Sequence, residues 1–567
     1  MLLLLGWISL FNGIDILYPI DKTEALQLEL ARQMFASGDW VTPSIDNHVY
    51  FDKPPLPYWI GSFFLSIRGD QSTEFWTPRI GASLAGMIGV ISTFLLTFYA
   101  NNDEFKRRIS RAASAAAILL LMPFYAGFSR VALHDIYLTA SITVALTVIF
   151  LHSQSSNRGA LQSIVRGTVL GCSLGIGVLA KGLLAPVLVS AIAIGFLLAS
   201  QRTKLSYFNY YFIATCLFVF TLIAMPWHLS AWQSHGASFI DTYLGRTQLT
   251  RFTTELDNHS GPWFFYLLFY PAITAPWVLP AAHSLIRNKV LNLRHIRHKL
   301  ESNKLEIFAF IWILVTLALF SLASTKLPHY ILPSLPPTAI AASYFFFPLA
   351  AGQNHSHRFS RLLLIFTGSI LIIASCVLIL TPAMLLPISR NSPDFSLALR
   401  SYLASPPIIT FFLFFGVTGC AMGARAKHHL ELLLGVFWAF FISSVLLFIS
   451  PSILKVYHTY HQLPRLQLAD QALLQSANQG EPILVVGKSW YSVRIRTNGR
   501  AQILEKGKAF NADPTARLPD CASSLLILGP TTEVQSEAQR CPANALTLLN
   551  QTQSGRLSLG RLAPKTL

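Results

Sequence analysis

The residues best suited to chemistry lie in four separated stretches. Between Tyr18 and Trp59, "YPIDKTEALQLELARQMFASGDWVTPSIDNHVYFDKPPLPYW" gathers Asp21, Glu24, Asp39, Asp46, Asp52 and Lys53 among aromatics and prolines. "FSRVALHDIYLTA" carries His134 and Asp135, "GVLAKGLLAP" carries Lys181, and "SLASTKLPHYILPSLPP" carries Lys326, His329 and Tyr330. An ammonium held in a fixed position suits a phosphate, and a short carboxylate suits orienting or deprotonating a hydroxyl. In "YFDKPPLPYW" two adjacent prolines stiffen the backbone and forbid an ordinary helix interior, so Asp52 and Lys53 are expected to be held in place. A plain surface turn is the simpler reading of the same residues.

These charges stand out against a greasy background. Of 567 residues, 53 % are apolar and only 12 % charged, whereas a soluble domain carries about 25 %. Apolar runs fall roughly at 2–18, 78–100, 112–128, 131–152, 162–183, 184–200, 208–229, 262–284, 304–323, 329–350, 360–383, 405–425 and 431–450. The expected fold is an all-α polytopic membrane protein of about thirteen spans over residues 1–450. The first run has neither a basic n-region nor a small-residue cleavage site, so it reads as a retained span.

The loops alternate in charge. One side collects seventeen basic residues, among them Lys106, Arg107, Arg108, Arg287, Arg361 and Arg425, against Asp103, Glu104 and Glu301. On the other side the 19–77 loop has eight acids and four bases. The Lys/Arg bias makes the first side cytoplasmic, with the amino terminus inside. The 19–77, 230–261 and 384–404 loops and the tail then lie outside. The net charge of +17 sits in short loops with no basic stripe, which argues against a nucleic-acid partner. Residues 451–567 have ordinary composition; "EPILVVGKSWYSVRI" and "SSLLILGP" read as strands and "ADQALLQSA" as a helix, giving a small outer α/β domain. A Cys521–Cys541 disulfide is permitted there, although spacing says nothing about geometry.

Leu26, Leu30 and Met34 recur at helical spacing after Lys22, which reads as an interfacial helix carrying Asp21 and Glu24 at the water–lipid boundary. Asp135, Lys181, Lys326 and His329 fall near or within apolar segments on that same side. Charges at such depth are expensive and face a cavity or a partner. Snorkelling is an alternative for the two lysines, but not for the short Asp135 side chain. Glu255 and His259 in "RFTTELDNHSGPWFFY" are four apart and with Asp52 form a set that suits a divalent metal such as zinc or magnesium. Chance is the other reading, since the spacing matches no strong zinc pattern.

Taken in order, Asp21–Met34, Gly38-Asp39-Trp40, Tyr50–Trp59 and Lys326–Pro337 resemble the motifs of bacterial inner-membrane glycosyltransferases of the protein-mannosyltransferase-like superfamily, in particular the branch that transfers aminoarabinose to lipid A. The resemblance implies a GT-C architecture and an inverting transfer of a sugar, such as 4-amino-4-deoxy-L-arabinose, from a polyprenyl-phosphate carrier to lipid A or another outer-face acceptor. By the same resemblance Asp21 and Asp135 match the loop aspartates and Lys53 meets the carrier phosphate. Tyr50, Tyr330 and Lys181 line the pocket, and Asp52 and His259 fall where relatives hold a metal. The chain departs from the pattern at two places: the usual Asp-Glu pair is Asp21-Lys22, and an arginine three places after the aspartate is Glu24.

The chemistry expected is electrostatic stabilisation of a phosphate leaving group by Lys53, aided by Lys181 or Lys326, with Asp21 or Asp135 as base or orienting group. Glu24 joins the substrate-binding set. The rival readings are hexose or uronic-acid transfer to lipopolysaccharide core or protein, and a non-enzymatic lipid-carrier transporter. A transporter would show two matching halves with sites near the midplane; no such repeat is visible.

Overall fold

The computed structural model describes residues 2–15, 24–45, 48–68, 76–100, 103–155, 159–199, 209–250, 261–288, 304–347, 357–380, 401–403, 405–425 and 430–449. It also describes scattered single positions and the tail elements named below. Asp21, Lys22, Asp46, the 251–260 segment with Glu255, Asp257 and His259, and both Cys521 and Cys541 lie outside the described residues.

Helices dominate because a chain in lipid must satisfy its own backbone donors and acceptors. The first is α1 (Leu2–Gly6), continued by a π turn over Trp7–Phe11. In the first loop, α2 (Glu24–Ser37) and α3 (Leu56–Arg68) flank a ribbon of β1 (Ser44–Ile45) and β2 (His48–Val49). The bundle continues through α4 (Trp76–Tyr99), α5 (Phe105–Leu120), α6 (Pro123–Phe128), α7 (His134–Gln154), α8 (Ala160–Lys181), α9 (Leu184–Ala199) and α10 (Tyr210–Phe239). Next, α11 (Phe265–Thr274) and α12 (Val278–Arg287) meet at 105°. Then α13 (Lys304–Leu322) leads through a 3-10 turn at Pro328–Ser334 into α14 (Leu335–Phe346), followed by α15 (His357–Leu380), α16 (Pro406–Arg425) and α17 (Leu430–Ser444).

Each of the thirteen apolar stretches contains helix. Among the described residues seven helices are long and apolar enough to cross a bilayer unbroken, or eight if the bent α11–α12 pair is one span. Most of the broken spans are interrupted by proline, which cannot donate to a helix ladder. Pro123 starts a new helix after α5, and Pro328 and Pro333 fall in the 3-10 turn before α14.

The tail forms α18 (Leu463–Gln479), β3 (Ile483–Val486), β4 (Ala501–Leu504), β5 (Leu525–Pro530), β6 (Asn544–Gln551) and β7 (Leu557–Pro564). Its sheet has the order β4-β3-β5-β7-β6, with β3 parallel to β4 and β5 and the other pairs antiparallel. Leu468, Ala469 and Ala472 of α18 pack on Ile483, Val485, Leu526 and Leu528 in a core separate from that of the bundle. This is the α/β unit expected from the strand and helix patterns.

Gly167, Gly171 and Gly175 recur every four residues on α8, where α10 comes closest. A Cβ at Gly171 would stand 2.5 Å from the Cys216 carbonyl oxygen, and one at Gly167 2.5 Å from that of Phe212. Small residues at this spacing let two helix backbones touch, which is how helices associate in lipid. G171L is therefore expected to destabilise the protein by about 1–3 kcal/mol through overpacking, read as a lower midpoint of thermal aggregation in detergent. A conservative change at exposed Leu198 (63 % exposed) should leave that midpoint in place.

Candidate active site

α7 starts at His134 and α8 ends at Lys181, so the two antiparallel helices bring Asp135 and Lys181 to one end of the bundle. The Lys181 ammonium donates directly to Asp135 Oδ1. It also lies 4.4 Å from the centre of the Tyr330 ring, a cation–π contact. His329 approaches Asp135 on its other oxygen, with Nε2 3.8 Å from Oδ2. Four residues from three distant stretches thus form one cluster. Tyr266 braces the segment that supplies two of them: its hydroxyl donates to the Leu327 carbonyl at 3.1 Å and accepts from the Leu327 N–H at 3.2 Å.

The first loop closes over this corner. α2 ends at Gly38, which takes the left-handed conformation (φ +72°) that favours glycine at a helix stop. Asp39 then turns the chain by accepting from the Val41 and Thr42 N–H groups at 2.8 and 2.9 Å. Partial burial works against its charge, but these donors outweigh it and hold its carboxyl below the ordinary value. Three side chains fasten the following residues. Trp59 Nε1 donates to the Trp40 carbonyl at 2.8 Å, Trp227 Nε1 to the Val41 carbonyl at 2.9 Å, and His235 Nε2 lies 3.0 Å from Thr42 Oγ1. Phe51 is buried against Trp227 and Phe239.

The Tyr50–Lys53 turn sits against His134. Tyr58 meets the His134 ring edge-on at 5.5 Å, and Tyr50 packs on the Leu30, Met34 and Tyr58 cluster. Asp52 is close enough for its charge to act on Tyr58, and Lys53 for its charge to act on His134. Both side chains are partly buried.

Lys326 is buried, and its ammonium donates to the Ala323 carbonyl. Gly261 lies against its stem: a Cβ there would be 3.1 Å from Lys326 Cδ. That contact brings the end of the 230–261 loop to the Lys326 segment. Of the set named for a metal, Asp52 alone is described, and no group of three His, Cys, Asp or Glu among the described residues could hold an ion.

Glu24 faces the protein interior. It is fully buried, and the Arg79 guanidinium grips it with two bonds, Nε to Oε1 and Nη2 to Oε2, each 2.6 Å. The Ala132 N–H adds a third bond to Oε1 at 2.9 Å. The helical spacing of α2 was legible, but Glu24 and Glu29 lie on its buried side with Ala25, Leu28 and Ala31. Sequence reasoning did not find Arg79. Its signal was a lone arginine at the head of an apolar run, a position that calls for an acid nearby.

The sequence profile of the dolichyl-phosphate-mannose-protein mannosyltransferase family matches residues 52–227, from the Asp52–Lys53 turn to Trp227. The undecaprenyl phosphate-alpha-4-amino-4-deoxy-L-arabinose arabinosyl transferase 2 of Pseudomonas fluorescens is 27 % identical over 63 % of this chain and 58 % of its own length. The corresponding transferase of Erwinia tasmaniensis is 26 % identical over 74 % and 72 %. Among solved structures, ArnT from Cupriavidus metallidurans bound to undecaprenyl phosphate superimposes with a TM-score of 0.78 at 18 % identity, covering 99 % of this chain and 97 % of that one. The chain has a GT-C membrane-glycosyltransferase fold and resembles the aminoarabinose transferases. In the sequence matches the chain spans little more than half the length of the first curated relatives.

Removing the acid from the Glu24–Arg79 pair leaves a guanidinium buried without its carboxylate. E24Q is expected to cost about 3–5 kcal/mol, measured as a fall in the thermal midpoint. The double variant E24L/R79M should recover much of that loss.

Proposed function

We propose that the chain is an inverting glycosyltransferase that moves a sugar from a polyprenyl-phosphate carrier to an acceptor at the non-cytoplasmic face of a bacterial inner membrane. The observation that carries this reading is the Asp135–Lys181–Tyr330–His329 cluster lying beside the Asp52–Lys53 turn. The charge bias of the loops supports an orientation with the amino terminus in the cytoplasm and the cluster, first loop and tail domain in the periplasm. The relatives' names support 4-amino-4-deoxy-L-arabinose as the sugar and undecaprenyl phosphate as the carrier; lipid A is the proposed acceptor. A transporter is disfavoured because the charges gather at one end of the bundle instead of its middle.

The transfer forms one bond and breaks one. An acceptor oxygen attacks the anomeric carbon, and the bond from that carbon to the carrier phosphate breaks, with the electron pair leaving on the phosphate. Lys53 meets the charge that develops there. Lys181 begins paired with Asp135, so an arriving phosphate competes for its ammonium. As Lys181 turns to the phosphate, the Asp135 carboxylate gains capacity to orient the acceptor or to take its proton. Asp21 is the second carboxylate assigned to that task. If the acceptor is a phosphate of lipid A, no proton need move and the carboxylates mainly position it.

The test incubates purified protein with undecaprenyl-phosphate aminoarabinose and lipid A and reads the product by mass spectrometry, with hexose-loaded carriers as competing donors. K53A, D135N and D21A are each expected to lower turnover roughly 10²-fold or more; elution should stay close to that of the parent in all three, and the thermal midpoint should fall only in D135N, which leaves the Lys181 ammonium without its carboxylate. Unchanged turnover in K53A and D135N would defeat the assignment.

A further inference from the structure

We propose that His329 is a positioning residue that takes over the Asp135 carboxylate when Lys181 turns to the carrier phosphate. This inference rests on the function proposed above and gives a part in it to a residue that the family resemblance leaves without a role. The Asp135 carboxylate has two sides. Oδ1 accepts from the Lys181 ammonium, and Oδ2 faces His329 Nε2 at 3.8 Å. No other side chain bonds to this carboxylate among the described residues. A closed N–H···O bond spans about 2.7–3.2 Å, so the imidazole stands roughly 1 Å short of one.

Such an exchange is needed because a phosphate that draws the Lys181 ammonium away leaves a carboxylate at 10 % side-chain exposure without its cation. That state is strongly unfavourable unless another donor meets the acid. His329 is placed to be that donor. Its ring is seated by Phe128, tilted against it at 5.4 Å, and by Tyr330, edge-on at 5.1 Å. The turn beneath it is fastened at Leu327, whose carbonyl accepts from the Tyr330 N–H and from the Tyr266 hydroxyl, each at 3.1 Å. One turn thus serves both halves of the ion pair: the Tyr330 ring face meets Lys181, and the neighbouring imidazole faces Asp135. A neutral ring with its proton on Nε2 suffices for the bond. Such a donor holds the carboxylate without adding a further cation to compete for the phosphate.

The experiment uses the full chain in phosphatidylcholine nanodiscs, where no anionic head group competes for the site. Its first arm needs no carrier and reads thermal midpoints. K181M and H329F should each lower the midpoint modestly, because the remaining partner still meets Asp135. K181M/H329F should lose more than the sum of the two, and adding D135N should recover that excess. If the double variant does not fold, recovery of folding by D135N decides the same point. The second arm measures equilibrium binding of undecaprenyl phosphate. H329F should weaken it about tenfold, the effect of losing one hydrogen bond to a charged group, and H329Q, which keeps an amide donor, should restore it. In the D135N background H329F should leave carrier binding unchanged, whereas damage to the turn alone would weaken it in both backgrounds. Additive midpoint losses, or equal weakening with and without the Asp135 carboxylate, overturn the exchange. Absence of carrier binding by the parent sinks the proposed function instead, and the midpoints of the first arm still decide whether His329 takes the carboxylate.

Discussion

The Asp135–Lys181 contact is the constraint around which the bundle end is organised. Either charge alone at that depth would be costly, and each makes the other tolerable only if the start of α7 and the end of α8 stay level. The aromatic wall of Tyr330 then shields the ammonium on one side, and His329 faces the free carboxylate oxygen. The glycines of α8 matter to the same corner. They let α10 approach so closely that Trp227 and His235, further along it, reach the first loop and hold residues 40–42. Helix packing in the bundle thereby sets where the loop can lie.

Two kinds of buried charge can be told apart by their chemistry. Glu24–Arg79 is a planar fork on a planar carboxylate, with both oxygens used. Arg111 is similarly committed, to Asp103 at 2.7 Å and the Phe347 carbonyl at 2.9 Å. Arg130 spends its donors on the carbonyls of Ile8 and Ser9. Such guanidinium contacts have fixed geometry and resist exchange. Lys181, by contrast, is a point charge on a flexible stem, held by one carboxylate and one ring face. A phosphate can replace that carboxylate without dismantling a fork. The arginines therefore hold the scaffold together, and under the proposed function a lysine stands where the carrier phosphate comes and goes.

Much of this was legible in the sequence because it follows from periodicity and charge. The helical runs, the small α/β tail and the convergence of Asp135, Lys181 and His329 follow from apolar lengths and loop alternation, whereas Tyr330 was placed with them by the family resemblance. That alternation works because a helix reverses direction at every crossing, so residues at alternate ends must share a face. What could not be read was which helices would be interrupted and how the first loop folds back. The docking of residues 40–42 rests on three side chain–backbone or hydroxyl contacts from Trp59, Trp227 and His235. None of those residues carries a charge pattern or a spacing that announces its partner. The inward turn of Glu24 was hidden for a related reason: a wheel drawn from hydropathy puts a glutamate outside unless a remote arginine is known to meet it.

That last point bears on the departures from the family pattern. The family pattern implied by the resemblance has an arginine where this chain has Glu24. In the folded chain the reversed charge is answered within the protein, by Arg79 of α4 and by the Ala132 N–H. Ala132 lies three residues before Asp135, so Glu24 acts as a strut from the first-loop helix to the approach to α7. A strut of this kind favours an acid, because a carboxylate has two charged oxygens that together accept both guanidinium bonds and the amide bond. The substitution therefore alters how the loop is held more than what it holds. Differences in acceptor or sugar choice should then be sought nearer the cluster, among residues such as His134 and His329.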